Sequence, residues 1–160
     1  MTSPRIGIGY DAHRFGGSGP VVLAGVSIVS PFGVLGTSDA DVAAHAVADA
    51  LLGAACLGDL GKFFPSDDAQ WHGANSMELL ARCVQKVRDA GFEPGNVDLT
   101  VVVEKLRVAP HRESMRSNLA KAIQLPVSAV SVKATTTDGL GWIGAGEGLA
   151  VQAVVAIHRH

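Results

Sequence analysis

The chain has 160 residues, 48% hydrophobic and 18% charged, with a formal net charge of −2; that is enough apolar material for one buried core and too little basic excess for a nucleic-acid partner. Aromatic residues make up only 5% while glycine occurs 19 times, so the core has to be built from Val, Ala and Leu around many tight turns. Cys56 and Cys83 lie in apolar helical patterns and belong to no CxxC pair, which excludes a disulfide framework.

Residues 5–13 alternate, with Ile6, Ile8 and Tyr10 on one face and Gly7, Gly9, Asp11 and His13 on the other, the period of a β-strand. A strand this early leaves no room for a targeting peptide, and no apolar run approaches the ~20 residues of a membrane span, so a cytoplasmic protein without a membrane partner is expected. Val21 to Ile28 reads as one or two short strands broken near Gly25, and Ser30 to Gly33 as a loop. An Ala/Val/Leu run to Leu57 predicts a helix capped by Ser38 or Asp39 and stopped by Gly58. Residues 59–73, rich in Gly, Pro, Asp and Ser, predict a long functional loop or lid.

A second helix starts at Asn75-Ser-Met-Glu78, with capping-box spacing, and ends at Gly91. Val97 to Leu106 predicts a strand, Pro110 opens a third helix reaching about Gln124, and Val130 to Thr136 and Leu149 to Ile157 predict two more strands. The expected fold class is α+β, a mixed β-sheet layered with helices, in a single domain over residues 1–160.

Chemistry concentrates in a few places. Asp41, His45 and Asp49 follow an i, i+4, i+8 spacing and form one polar stripe on an otherwise apolar helix. A solvent face is the ordinary explanation, but solvent faces carry Lys, Arg and Glu, and this helix has none. A buried stripe needs a metal or a partner to offset its desolvation. Asp11 and His13, two apart on a strand, share a face, and with His45 they make three ligands with a fourth position open, the arithmetic of a catalytic zinc site. Asp49, one turn beyond His45, is expected beside a metal-bound imidazole.

Gly139-Leu-Gly141-Trp-Ile-Gly144 matches GxGxxG, yet a strand follows instead of the helix that a dinucleotide fold needs; a Gly-rich turn is expected. Lys133-Ala-Thr135-Thr136-Thr137-Asp138 ends a strand with three hydroxyls and a carboxylate. Threonines are good strand formers, and the set also suits phosphate oxygens and Mg²⁺ or Mn²⁺. His72, His111, His158 and His160 are isolated and receive no role.

Five stretches carry a resemblance: Gly9-Tyr-Asp11-Ala-His13, Ser38 through Asp49, Gly58-Asp59-Leu-Gly61-Lys-Phe-Phe64-Pro65, Gly95-Asn-Val-Asp98, and Lys133 through Asp138. Their order and spacing over about residues 5–157 are similar to the 2-C-methyl-D-erythritol 2,4-cyclodiphosphate synthase family. The resemblance implies a homotrimer with an active site at each subunit interface. It also implies conversion of 4-diphosphocytidyl-2-C-methyl-D-erythritol 2-phosphate, a cytidine-diphosphate substrate, into the cyclic diphosphate and CMP in the non-mevalonate isoprenoid pathway.

By the same resemblance, Asp11, His13 and His45 bind Zn²⁺, and Asp138 holds a second divalent cation, Mg²⁺ or Mn²⁺. Thr136 contacts the α-phosphate, and Thr37 stands at a position that stabilises the transition state. Asp59 and Gly61 match ribose contacts, and the backbone from Val103 through Arg107 and Val108 to Ala109 matches a cytosine pocket from a neighbouring subunit. Phe64, Pro65, Ser66, Asp67 and Asp68 match the mobile loop on the erythritol side. Ser38, Thr135, Thr137 and Trp142 complete the substrate-contacting set, Trp142 also keeping an aromatic place in a cavity on the threefold axis. Three positions depart from the family pattern: Thr37 replaces a His, Asp138 a Glu, and Ala145 an Arg beside that axial cavity. Two other functions fit the same scaffold: a catalytically weakened metal- and nucleotide-binding trimer, supported by Thr37, and a zinc hydrolase of small phosphate esters.

Overall fold

The structure, a computed structural model, describes residues 3–160. Its spine is a mixed five-stranded sheet in the order β4-β1-β7-β5-β6, formed by β1 (Arg5–Gly16), β4 (Gly33–Val34), β5 (Phe92–Val102), β6 (Val130–Thr135) and β7 (Gly148–Arg159). Only the β5–β6 pair is parallel. Strands β2 (Val21–Leu23) and β3 (Val26–Ile28) form a separate hairpin, broken at Gly25 as expected.

One face of the sheet carries the helices. The innermost, α1 (Val42–Ala54), packs across β1, β7 and β5, and α3 (Ser76–Asp89) lies against α1 with α4 (Arg112–Ile123) beside it, next to β6. The core is aliphatic: Leu149, Val151, Ala153, Val155 and Ile157 of β7 point inward against Val42, Ala43, Ala46, Val47 and Leu51 of α1. On the opposite face Ile6 and Ile8 are each 63% exposed and Tyr10 60%. Among the described residues no helix is long and apolar enough to cross a membrane.

The inward face of β1 holds the constraint that sets this geometry. Gly7 and Gly9 are buried, and a Cβ on either would fall within the contact radius of a carbonyl oxygen of α1, Ala50 for Gly7 and Ala46 for Gly9. Helix backbone and strand backbone therefore meet directly, with no side chain between them.

Several expectations are corrected. The cap of α1 is Asp41, not Ser38 or Asp39: its buried carboxylate accepts the N–H of Ala44 at 3.0 Å, and those of Ala24 and Gly25 at 2.8 and 2.7 Å. Asp41 thereby leaves the polar stripe and ties the β2–β3 hairpin to the helix start. Burial pushes its carboxyl up, opposed by those three N–H groups. The helix ends at Ala54, before Leu57, with Ala55 as its C-cap.

Residues 59–73 are not one irregular loop. They contain α2 (Leu60–Phe63), capped by Asp59, and a 3₁₀ turn at Ala69–Trp71 capped by Asp68. The segment read as a loop at Ser30 to Gly33 leads into β4, which pairs with the end of β1. Strand β5 starts at Phe92, five positions before Val97, through an irregularity between Pro94 and Asn96. Within the GxGxxG segment a single helical turn, α5 (Gly141–Gly144), precedes β7.

Gly9→Ala is expected to force α1 off the sheet. Overpacking of this kind typically costs 1–3 kcal/mol, and with a rigid carbonyl as the obstacle the loss should reach at least about 3 kcal/mol. Thermal unfolding of the variant and the native protein, at equal protein concentration, measures it.

Candidate metal centre and substrate cavity

Because α1 sits on the glycine face of β1, the next two inward residues of the strand, Asp11 and His13, face His45 on the helix. Asp11 Oδ2 lies 3.2 Å from His13 Nε2 and 3.1 Å from His45 Nδ1. One ligand atom from each of the three residues falls within a 4.8 Å set, the one such cluster among the described residues.

The remaining ring nitrogens fix the tautomers. His13 Nδ1 donates to the Leu35 carbonyl at 2.6 Å. His45 Nε2 lies 2.8 Å from Ser76 Oγ and 3.2 Å from Ser38 Oγ. Ser76 Oγ in turn donates to Asp39, whose other oxygen accepts the Ser76 N–H at 3.0 Å, so the Ser76 hydroxyl accepts from His45. His13 Nε2 and His45 Nδ1 are thus the nitrogens left to face Asp11. Burial raises the Asp11 carboxyl, but hydrogen bonds from His13 and His45 outweigh it and bring it down to about 2. The Asp11 hydrogen bond raises His13, against its burial. A carboxylate held ionised between two oriented imidazoles is a donor set that fits a divalent metal, which takes the place of the shared proton.

The carboxylate that reaches a candidate ligand imidazole through hydrogen bonds is Asp39, by way of Ser76. Asp49 Oδ1 accepts the Leu60 N–H at 2.7 Å and makes no hydrogen bond to either imidazole. It pins α2, and burial raises its carboxyl. The helical spacing of Asp49 from His45 is real, but the strand of chain packed against that turn of α1 is Leu60, which spacing cannot reveal.

Beside this candidate cluster opens a cavity of about 220 Å³, lined by His13, Thr37, Ser38, His45, Leu60, Gly61, Phe64, Ser66, Trp71 and Leu79. Phe64 and Trp71 meet edge to face at 4.8 Å. The expected residues Thr37, Ser38, Gly61, Phe64 and Ser66 therefore converge on the ligand set. Asp59 and Asp68 cap the two short turns that form the cavity wall, and the Pro65 carbonyl accepts the Asp68 N–H at 3.1 Å. Asp67 is exposed on the same segment. Trp71 and Leu79 were not singled out from sequence; an aromatic in a polar loop was the available signal for Trp71.

The other expected residues do not line this cavity. Val103 to Ala109 and Thr135 to Asp138 form a second cluster, joined where Val103 N–H donates to the Thr135 carbonyl at 3.0 Å. Arg107, Ala109, Thr135, Thr136 and Asp138 are exposed there, while Val103 and Val108 are buried. Asp138 has a left-handed backbone, φ 55°. Glu104, also not singled out from sequence, accepts the N–H groups of Thr137 at 2.8 Å and Gly139 at 3.2 Å. Those two N–H groups draw its carboxyl below the usual range.

Trp142 lines a third place, a cavity of about 220 Å³ shared with Ala12, His13, Arg14 and Glu147. Ala145 leaves no guanidinium on the Gly-rich turn, while Arg14 of β1 supplies one to this cavity wall.

Residues 4–158 match the family model described as the YgbB family. The chain belongs to the YgbB family. Among YgbB relatives, the 2-C-methyl-D-erythritol 2,4-cyclodiphosphate synthase of Salinibacter ruber is 54% identical over 153 residues, covering 96% of this chain and 98% of the relative. That of Edwardsiella ictaluri is 50% identical with the same coverage. Among solved structures, the bifunctional IspDF of Campylobacter jejuni superposes with a TM-score of 0.96 at 42% identity, over 100% of this chain and 43% of that one, so this chain spans less than half of the bifunctional protein. A 2C-methyl-D-erythritol-2,4-cyclodiphosphate synthase in a CDP-bound form gives a TM-score of 0.88 at 34% identity, over 96% of this chain and 100% of that one.

In this YgbB chain Ser76→Ala is expected to weaken divalent-metal affinity roughly 10- to 100-fold, the usual effect of removing a group that orients a ligating imidazole. Asp49→Asn should leave that affinity near the native value. Competition with a chromogenic chelator measures both.

Proposed function

We propose that this chain is a 2-C-methyl-D-erythritol 2,4-cyclodiphosphate synthase, converting 4-diphosphocytidyl-2-C-methyl-D-erythritol 2-phosphate into the cyclic diphosphate and CMP. The observation that carries the reading is the convergence of Asp11 with His13 and His45, the two imidazoles lining a cavity, in a chain of the YgbB family. Two nitrogens and one carboxylate with a fourth position open suit Zn²⁺; when bound, it supplies Lewis acidity to a β-phosphate oxygen.

The chain's own residues bind and orient. Asp138 offers a hard oxygen to a second divalent cation, Mg²⁺ or Mn²⁺, and Thr136 a hydroxyl to the α-phosphate. The backbone from Val103 to Ala109 takes the cytosine, Asp59 and Gly61 the ribose, and the segment from Phe64 to Asp68 closes over the erythritol. A 2-phosphate oxygen then attacks the β-phosphorus, the bond from that phosphorus to the α–β bridging oxygen breaks, and CMP departs with the bridging oxygen. Alignment of the two phosphates supplies the rate, and no protein nucleophile is needed.

The reading includes a homotrimer. Within one chain the metal cavity and the Thr135–Asp138 cluster are separate, and a neighbouring subunit would bring the second to the first. The outward apolar residues Ile6, Ile8 and Tyr10 support burial against other copies, since large exposed patches of this kind mark association surfaces. A cytoplasmic location agrees with the free thiols of Cys56 and Cys83.

Phosphorus NMR of the purified protein with the diphosphocytidyl substrate tests the function. Cyclic diphosphate and CMP are expected; linear hydrolysis products would return the hydrolase reading, and absence of turnover the binding-protein reading. Thr37 is exposed and lines the cavity. Thr37→His is therefore expected to raise kcat, by up to roughly 100-fold on the scale of single donors to developing charge; steady-state kinetics would show an unchanged kcat if the site has been rebuilt around threonine.

A further inference from the structure

We propose that Glu104 is a positioning residue for the nucleotide-side half of the site: its carboxylate pins the backbone on both sides of Asp138 and so aims the Asp138 carboxylate at the second divalent cation. The inference rests on the reading of Asp138 as that cation's ligand.

The turn leaving β6 is intrinsically poor at holding its shape. Asp138 has φ 55° and Gly139 φ 76°, two successive left-handed residues. A non-glycine residue in that region persists only where its surroundings over-determine it. Glu104 Oε1 does so from outside the turn, accepting the N–H of the residue before Asp138, Thr137, at 2.8 Å and of the residue after it, Gly139, at 3.2 Å. The Asp138 N–H donates to Thr136 Oγ1 at 3.3 Å. The Thr137 hydroxyl lies 3.2 Å from the same Glu104 oxygen but is closer to the Leu140 carbonyl, at 2.7 Å, and its one proton goes there.

Two charge-assisted N–H bonds thus bracket one residue, while the Asp138 carboxylate itself makes no hydrogen bond or ion pair among the described residues and stays exposed. A fixed backbone under an unpartnered carboxylate is what a metal ligand needs and what a surface turn does not. Glu104 also lies within the Val103–Ala109 segment, so one carboxylate sets the spacing between the proposed cytosine and phosphate contacts.

The test uses the zinc-loaded protein with CDP present and follows Mn²⁺ binding by electron paramagnetic resonance. Glu104→Ala should raise the Mn²⁺ dissociation constant roughly 10- to 100-fold, with zinc content and thermal midpoint unchanged, and its kcat should recover at high Mg²⁺. Glu104→Gln, which keeps an acceptor oxygen, should restore most of the affinity. If Glu104→Ala fails to fold, Glu104→Asp, which draws the oxygen back by one methylene, is read in the same way. Native Mn²⁺ affinity in Glu104→Ala, alongside lost affinity in Asp138→Ala, overturns the positioning role. Native affinity in Asp138→Ala instead removes the reading of Asp138, and this inference with it.

Discussion

The direct contact between the backbones of α1 and β1 governs the rest of the molecule. Glycine loses more freedom on folding than any other residue, and two buried glycines on one strand face are tolerable only for what they permit. Here they let an Ala-rich helix settle onto the sheet. That depth sets the reach of His45, whose ring has to arrive within hydrogen-bonding distance of Asp11 without strain. It also reverses the usual division of a surface strand, because its large side chains, Ile6, Ile8 and Tyr10, are left on the outward face.

The short stretch before α1 distributes polar work with little redundancy. Ser38 reaches the His45 ring, Asp39 holds Ser76, and Asp41 caps the helix while fastening the β2–β3 hairpin. Ala40 between them has φ 55°, which turns the flanking side chains in different directions. The carboxylates near the helix start lie at the positive end of its dipole. The setting of the His45 ring, the helix start and the hairpin attachment are therefore coupled through four consecutive residues.

What the sequence made legible was what depends on local period. Alternation placed Asp11 and His13 on the face shared with Gly7 and Gly9, and the i, i+4 spacing flagged His45, so the members of the candidate metal cluster were readable before any coordinates. The supports were not. Ser76 meets His45 across 31 positions, Leu35 meets His13 across 22, and Glu104 meets Thr137 across 33, and no window of periodicity spans such gaps. The bond from Leu60 to Asp49 was hidden for the same reason, since a helical wheel shows which face a residue occupies but not that Leu60 covers it. The caps Asp59 and Asp68 carried a usable signal, but the turns they start are too short to show a repeat.

The strand order has a consequence for how the centre is assembled. Strand β7, residues 148–159, lies in the middle of the sheet between β1 and β5, so the strand bearing Asp11 and His13 finds its main partner nearly a full chain length away. Pairings of such high contact order form slowly, after most of the loop-closure entropy has been lost. During synthesis the strand bearing Asp11 and His13 waits with only the two residues of β4 to pair with, and a chain released before residue 148 leaves it without its neighbour. Assembly of the Asp11, His13 and His45 cluster is in this sense a late event, reporting that the last strand has been threaded into the centre of the sheet.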